Sequence, residues 1–278
     1  MRNSQATEKN PDIDDWSDRY QQKRNSNFFS DALAALAKIP GGVGNDGLMV
    51  IGLLGQRDIP GVMLRNAQAV LRWDLRPSLW SHAFLIAERL GGKPVKKTKI
   101  LEVPIQPRDG SFPRPEDNAV HETELSFYDD RRVDANIALL AVSMADTEAD
   151  AVTQRARDYN VDRLRYNFWD TLGIWQSYLW ASGGRQNPLR EAIPIFSSAF
   201  IEMAFEAIHF DITPGASERN SAPEHIWNAA LWWHKPMSEM YQRQIKGFYV
   251  LRDKGCSLLS SDDAVYEKRA RTMPPLPH

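Results

Sequence analysis

The 278-residue chain is poor in the residues that most often declare a function. It has one cysteine, Cys256, so an intrachain disulfide is impossible and a cysteine-based zinc site is excluded. Neither sign of charge is in excess. The 34 basic residues face 36 acidic ones, a net charge of −2, and such a balance gives no field for gripping nucleic acid or an anionic surface. Long apolar runs are missing too. The longest are too short and too interrupted to span a bilayer, so no transmembrane segment is expected. The opening "MRNSQATEKNPDIDDWSDRYQQKRN" holds no apolar core of signal-peptide length, and a cytoplasmic location is the resulting expectation. Histidine is scarce at six, which makes the position of each one informative.

What the chain does have is aromatic bulk, with nine tryptophans and eleven phenylalanines, enough for a filled core or a greasy groove. Length and composition suit one domain with appendages or two small ones. Residues 1–45 read as a polar extension carrying a short helix, "FFSDALAALAKIPGG" (28–42), with Ser30 or Asp31 as its N-cap. "DGLMVIGLLG" (46–55) is a glycine-bounded apolar run, a buried strand. "PGVMLRNAQAVLRW" (60–73) has helical spacing. Strand-like segments follow at 80–87, 99–104, 119–127 and 136–142. "DTEADAVTQRARDY" (146–159) reads as a helix with Thr147 and Asp150 as a capping box. The aromatic stretch 166–182 and the apolar stretch 193–210 read as helices, and a helix opened by Pro223 runs through 221–233. Residues 235–278 are left as a C-terminal extension. The order, strands followed by helices, predicts an α+β fold with a small antiparallel sheet.

Candidate chemistry gathers at two places. In "LWSHAFLI" (79–86) the period of two puts His82 on one face with Phe84 and Ile86. The following "KILEVP" offers Glu102, and a histidine and a carboxylate on adjacent strands can meet and fix the imidazole tautomer. Glu122, on the next strand, is a second candidate for the same task. A structural contact, or a histidine bonded only to backbone, accounts equally well for His82 taken alone. The second place is "IFSSAF", where Ser197 and Ser198 stand at the start of a buried helix, amid free N–H groups and the positive end of the dipole. That setting helps a nucleophile and an oxyanion, and it is also where serines act as ordinary caps. "HETE" (121–124) is a poor metal site because His121 and Glu122 point to opposite faces of a strand. His209, His225 and His234 lack ligand-like spacing. Cys256, after a glycine near the tail, reads as a spectator thiol. Neither a cofactor nor a metal is expected.

Taken in order, "DGLMVIGLLG", "SLWSHAFLIAE", "KILEVPI", "YNFWDTLG", "IFSSAFIEMAF" and "SAPEHIW" resemble the motifs of the circularly permuted NlpC/P60 branch of the papain-like hydrolases. In that branch the histidine precedes the nucleophile. The resemblance covers residues 46–234 and implies a papain-like half-barrel packed on helices. It implies His82 as base, Glu102 as the carboxylate that orients it, Ser197 at the nucleophile position and amides near Ser198 for the oxyanion. The family has cysteine where this chain has Ser197. Three accounts of the serine stay open: an engineered replacement, a Ser-His-Glu arrangement, or a catalytically silent pseudoenzyme that keeps the groove for binding. The implied activity is hydrolysis or acyl transfer at an amide, ester or thioester bond. A peptide or lipid substrate would lie in a groove beside Trp169, Trp175, Phe196 and Phe200, and the two extensions are candidate contacts for a protein partner. Those aromatics would serve plain core packing as well.

Overall fold

A computed structural model describes residues 9–39, 47–88, 97–104, 120–161, 197–216 and 221–253. The stretch 166–182 with Trp169 and Trp175, residues 105–119, Phe196 and Cys256 lie outside the described residues. The elements, in chain order, are strand β1 (Ile13–Asp15), helix α1 (Ser17–Tyr20), α2 (Asn25–Leu36), β2 (Gly47–Gln56) and α3 (Ile59–Ala67). Next come β3 (His82–Ile86), β4 (Lys99–Glu102), β5 (His121–Glu124), β6 (Asp134–Met144) and α4 (Asp146–Val161). The last are α5 (Ser197–Phe205), α6 (Pro223–Trp232), α7 (His234–Tyr241) and β7 (Ile245–Val250). One seven-stranded sheet in the order β1-β7-β6-β2-β3-β4-β5 unites them. Every neighbouring pair is antiparallel except β1 with β7. The fold is therefore α+β.

β2 and β6 are central and covered on both faces, which is why they read as unbroken apolar runs instead of alternating ones. On one face α4, α5 and α6 pack over Ile51, Leu53, Leu85, Leu101 and Leu140. On the other, α2 brings Phe28, Phe29, Ala32, Leu33 and Leu36 down on Val50, Leu54, Phe84, Ile86 and Ile137. The spacing of those five α2 residues is that of a single helical face. α2 starts at Asn25, earlier than the 28–42 reading. Its first turn is capped from outside, by Asp129 accepting the Ser26 N–H at 2.8 Å, and Asp31 instead accepts the Tyr20 hydroxyl inside the helix. At α4, Glu148 rather than Asp150 reaches back to a backbone N–H, that of Ala145 at 2.8 Å, because the helix begins at Asp146. The helical reading of 60–73 holds as α3 followed by a tighter turn over Gln68–Leu71, and that of 119–127 narrows to β5 plus a 3₁₀ turn over Leu125–Tyr128.

The sheet extends beyond residues 46–234. β1 and β7 come from the two polar flanks and are joined to the rest by polar contacts. The Asn10 amide donates to Ala230 O and Ile245 O at 3.1 and 2.9 Å. Arg252, just past β7, donates to Tyr20 O, Lys23 O and Asn25 Oδ1.

One close approach couples β2 to β3. The ring of Phe84 lies over Gly52, where a Cβ would come within 1.9 Å of ring carbon Cζ. Gly52→Ala therefore displaces Phe84. The expected result is a loss of about 1–3 kcal/mol in denaturant unfolding, the range for overpacking a filled core. An unchanged midpoint would show that the ring has room to move.

Candidate active site

β3 and β4 pair through Leu85 with Leu101 and Ile86 with Ile100. That register puts His82, Phe84 and Glu102 on the α2 face of the sheet, and both His82 and Glu102 are 1% exposed. Glu102 Oε2 lies 2.9 Å from His82 Nε2. Two hydroxyls complete the carboxylate's shell: Thr123 donates to Oε1 at 3.0 Å, and Tyr128 donates to Oε2. The Tyr128 oxygen is also 3.2 Å from His82 Nε2. Tyr128 is placed by the 3₁₀ turn after β5 and stacks on Phe84, with centroids 5.8 Å apart and planes 9° from parallel. The Gly52–Phe84 packing thus leads directly to the site.

The charge on Glu102 is set by these contacts. Burial alone would push its carboxyl up, but hydrogen bonding and attraction from His82, with the bonds from Tyr128 and Thr123, outweigh burial and hold it below its ordinary range. An ionised carboxylate only accepts, so Nε2 of His82 carries the proton. In the neutral ring the lone pair is then on Nδ1. That atom is buried and has no hydrogen-bond partner. A base nitrogen is thus left open on the side away from its orienting carboxylate.

Ser197 is the first residue of α5, where N–H groups are free of intrahelical partners. Its Oγ accepts the N–H of Ala83 at 3.1 Å. That nitrogen belongs to the peptide bond leaving His82, so the serine meets the backbone of β3, but α5 packs on the face of the sheet opposite the His82 ring and the hydroxyl is not hydrogen-bonded to it. The Ser198 hydroxyl is committed elsewhere, donating to Ser221 O at 2.6 Å. Glu122 is opposite Leu101 in the β4–β5 register, on the other face from His82, and pairs with Arg157 at 3.6 Å. It cannot orient the imidazole, and Glu102 alone of the two carboxylates reaches it. His225 is structural: its Nδ1 accepts the Ala222 N–H at 3.0 Å and burial pulls its pKa down to about 4. Among the described residues no cluster of His, Cys, Asp and Glu is arranged to hold a metal. A cleft of about 260 Å³ lies at the opposite end of β2 and β3, bordered by Leu48, Ile86, Thr153 and Arg157, and includes neither His82 nor Ser197. No helix is long and apolar enough to cross a membrane among the described residues.

Two acidic residues behind the histidine have no counterpart in the sequence reading. Asp58 caps α3, accepting the Gly61 N–H at 2.8 Å, and is near enough for His82 to attract its charge. Asp134, at the start of β6, is 3% exposed and its Oδ1 has no hydrogen-bond partner. Burial, then repulsion from Asp58, Asp130 and Glu102, pushes its pKa up to about 8. A β-strand start with an aspartate looks like any turn residue in the sequence, so burial among like charges leaves no local signal.

No family model and no curated protein matches the chain.

Asp134 makes a testable contribution to stability. Its carboxyl keeps a proton in the folded chain up to about pH 8 but ionises near 3.8 when exposed. The unfolded state therefore binds fewer protons between these values, and stability falls as pH rises through that window. Asp134→Asn, which stays neutral, should flatten the fall. At pH 8.5 the variant should gain on the order of a few kcal/mol over the natural chain relative to pH 4, a tenfold change in proton affinity being worth about 1.4 kcal/mol. Glu202 and Glu224, each raised to about 7 by burial, slope the same way in both proteins and cancel from the difference. Parallel urea-unfolding profiles from pH 4 to 8.5 would show that Asp134 is ionised in the fold.

Proposed function

We propose that the chain is a hydrolase or acyltransferase of papain-like design, acting on an amide, ester or thioester bond of a peptide or lipid, with serine as nucleophile. The observation that carries this reading is the unpartnered, buried Nδ1 of a histidine whose Nε2 is held by an ionised carboxylate, on a strand whose next backbone N–H is bound by a hydroxyl at a helix start. Leaving a buried ring nitrogen without a partner costs free energy, roughly 1–3 kcal/mol, and a ligand proton or a nucleophile's proton is what such an atom is suited to receive. The central sheet with α5 opening at β3 supports the permuted papain-like arrangement that residues 46–234 resemble.

In the proposed reaction the His82 ring first swings round the end of β3 to the Ser197 side, and its Nδ1 then takes the Ser197 hydroxyl proton as Oγ bonds to the carbonyl carbon. Glu102 stabilises the imidazolium that forms, and free N–H groups at the start of α5 stabilise the oxyanion. The tetrahedral intermediate collapses, the leaving group takes the proton from Nδ1, and an acyl-serine remains. Water or an acceptor alcohol attacks that ester, with His82 again as base. Tyr128 and Thr123 keep Glu102 charged and in place throughout. A pseudoenzyme that only binds is the second reading, favoured by the Ser197 hydroxyl's bond to the Ala83 N–H instead of the ring.

Thiol labelling separates the two. In Ser197→Cys, an assembled site should lower the new thiol's pKa through the imidazolium and the helix start, so iodoacetamide at pH 6.5 should modify it about tenfold or more faster than Cys256. His82→Ala in the same background should remove the excess. A new thiol that reacts no faster than Cys256, in a chain with native circular dichroism, would favour the binding module. For the natural chain, a fluorophosphonate probe should label Ser197 and lose that labelling in His82→Ala.

A further inference from the structure

Two arginines converge on one carboxylate where β7 ends. Arg65 is on the inward face of α3 with Gly61 and Val62, and its side chain is fully buried. Its Nε donates to Ser78 O at 2.8 Å and its Nη1 to Asp253 Oδ2 at 2.9 Å. Arg57, just past β2, brings its Nε to 3.8 Å from the same oxygen, an ion-pair distance but too long for a hydrogen bond. Nη2 of Arg65 and Nε of Arg57 are buried and have no hydrogen-bond partner. Nη2 shares a planar group with Nη1, so both unfilled donors border the space that the Asp253 carboxylate enters. A buried donor left unfilled is destabilising, and a guanidinium only donates, so what fills these atoms is an acceptor.

The charge is unbalanced in the same sense. Among the described residues Asp253 is the one carboxylate at ion-pair distance from Arg57 or Arg65. Arg252, the residue before it, is held by the carbonyls of Tyr20, Lys23 and Ala135 and by Asn25 Oδ1, none of them anionic. Burial, then repulsion from Arg131 and Arg57, pulls its pKa down to about 10. Asp58, beside Arg57 in sequence, is engaged by the Gly61 N–H, and Asp134 keeps its proton at neutral pH. Three guanidiniums therefore share a single paired carboxylate.

We propose that Arg57 and Arg65 form a binding site for a phosphate group, free or as a monoester, which displaces the Asp253 carboxylate. A phosphate has oxygens enough to take Nη1 and Nη2 of Arg65 side by side and Nε of Arg57 as well, and its charge of about −1.5 to −2 suits the cationic excess. The carboxylate already present leaves two of those donors unfilled. Room for the phosphate comes from Asp253 itself. Its backbone is held by Asn136, whose Oδ1 accepts the Asp253 N–H at 3.0 Å and whose Nδ2 donates to Asp253 O at 2.7 Å, so the side chain can rotate away while the strand end stays in place. Entry is from the Arg57 side, where the side chain is 36% exposed. The site is at the His82 end of the sheet, because Arg57 follows β2 and Ser78 leads into β3, but it does not rest on the proposed function.

The test follows thermal unfolding of the full chain by circular dichroism in rising sodium phosphate, with ionic strength held constant by sodium chloride. The melting temperature of the natural chain should rise with phosphate, since a ligand of the folded state stabilises it by mass action. Asp253→Asn takes away the competing anion. Its melting temperature should begin lower and rise more, with phosphate bound about tenfold tighter, the factor equivalent to 1.4 kcal/mol of relieved competition. Arg57→Gln, at a side chain open to solvent, should keep the native circular dichroism and bind phosphate about tenfold more weakly. Phenyl phosphate separates the two sources. Tighter binding than that of the free ion assigns the site to a monoester, and equal or weaker binding assigns it to the ion itself. A natural chain whose melting temperature responds to phosphate no more than to sodium chloride would overturn the proposal. So would unchanged phosphate binding in a natively folded Arg57→Gln. Acetate that restores Asp253→Asn as well as phosphate does would overturn it too, because the arginines would then need only the carboxylate they already have.

Discussion

The buried carboxylate of Glu102 is the constraint around which the site end of the molecule is arranged. A charge taken this far from water is costly unless its lone pairs are filled, and here the histidine, a tyrosine and a threonine fill them. Each donor comes from a different part of the chain, His82 from β3, Thr123 from β5 and Tyr128 from the turn beyond it. Satisfying one anion therefore aligns three strands and fixes the imidazole. The same arrangement leaves Nδ1 as the ring's open atom.

That geometry depends on the packing beneath it. Tyr128 can reach Glu102 because it stacks on Phe84, and Phe84 lies flat because Gly52 has no side chain to lift it. The central pair β2–β6 supplies the rigid floor, with its side chains buried on both faces. Asp134 and Asp58 bring further acidic groups behind the ring. Asp134 keeps its proton at neutral pH, which limits how much negative charge gathers around Glu102.

The site was partly legible in the sequence because two of its members obey a local rule. A period of two assigns His82 and Glu102 to faces of adjacent strands, and a serine pair before an apolar stretch marks a helix start. Tyr128 obeys no such rule. It lies in a 3₁₀ turn that strand periodicity runs straight through, and its role depends on a contact with Phe84, 44 positions earlier. Asp134 is silent for the same reason, since its burial is decided by elements remote in sequence. The central strands were legible as apolar runs bounded by glycine or turn residues. β1 and β7 were not, because polar ties from Asn10 and Arg252, not apolar periodicity, join the two ends of the chain to the sheet.

The most direct test of the account is the tautomer of His82, read by ¹⁵N NMR of the histidine side chains with His82→Gln to assign its signals. The account predicts that the ring's neutral form carries its proton at Nε2, with a pyridine-like Nδ1, and that this balance shifts in Glu102→Gln, where the carboxylate no longer demands a donor. A neutral ring protonated at Nδ1, or one averaging between tautomers like free imidazole, would contradict it, because Glu102 would then not be setting the tautomer of His82.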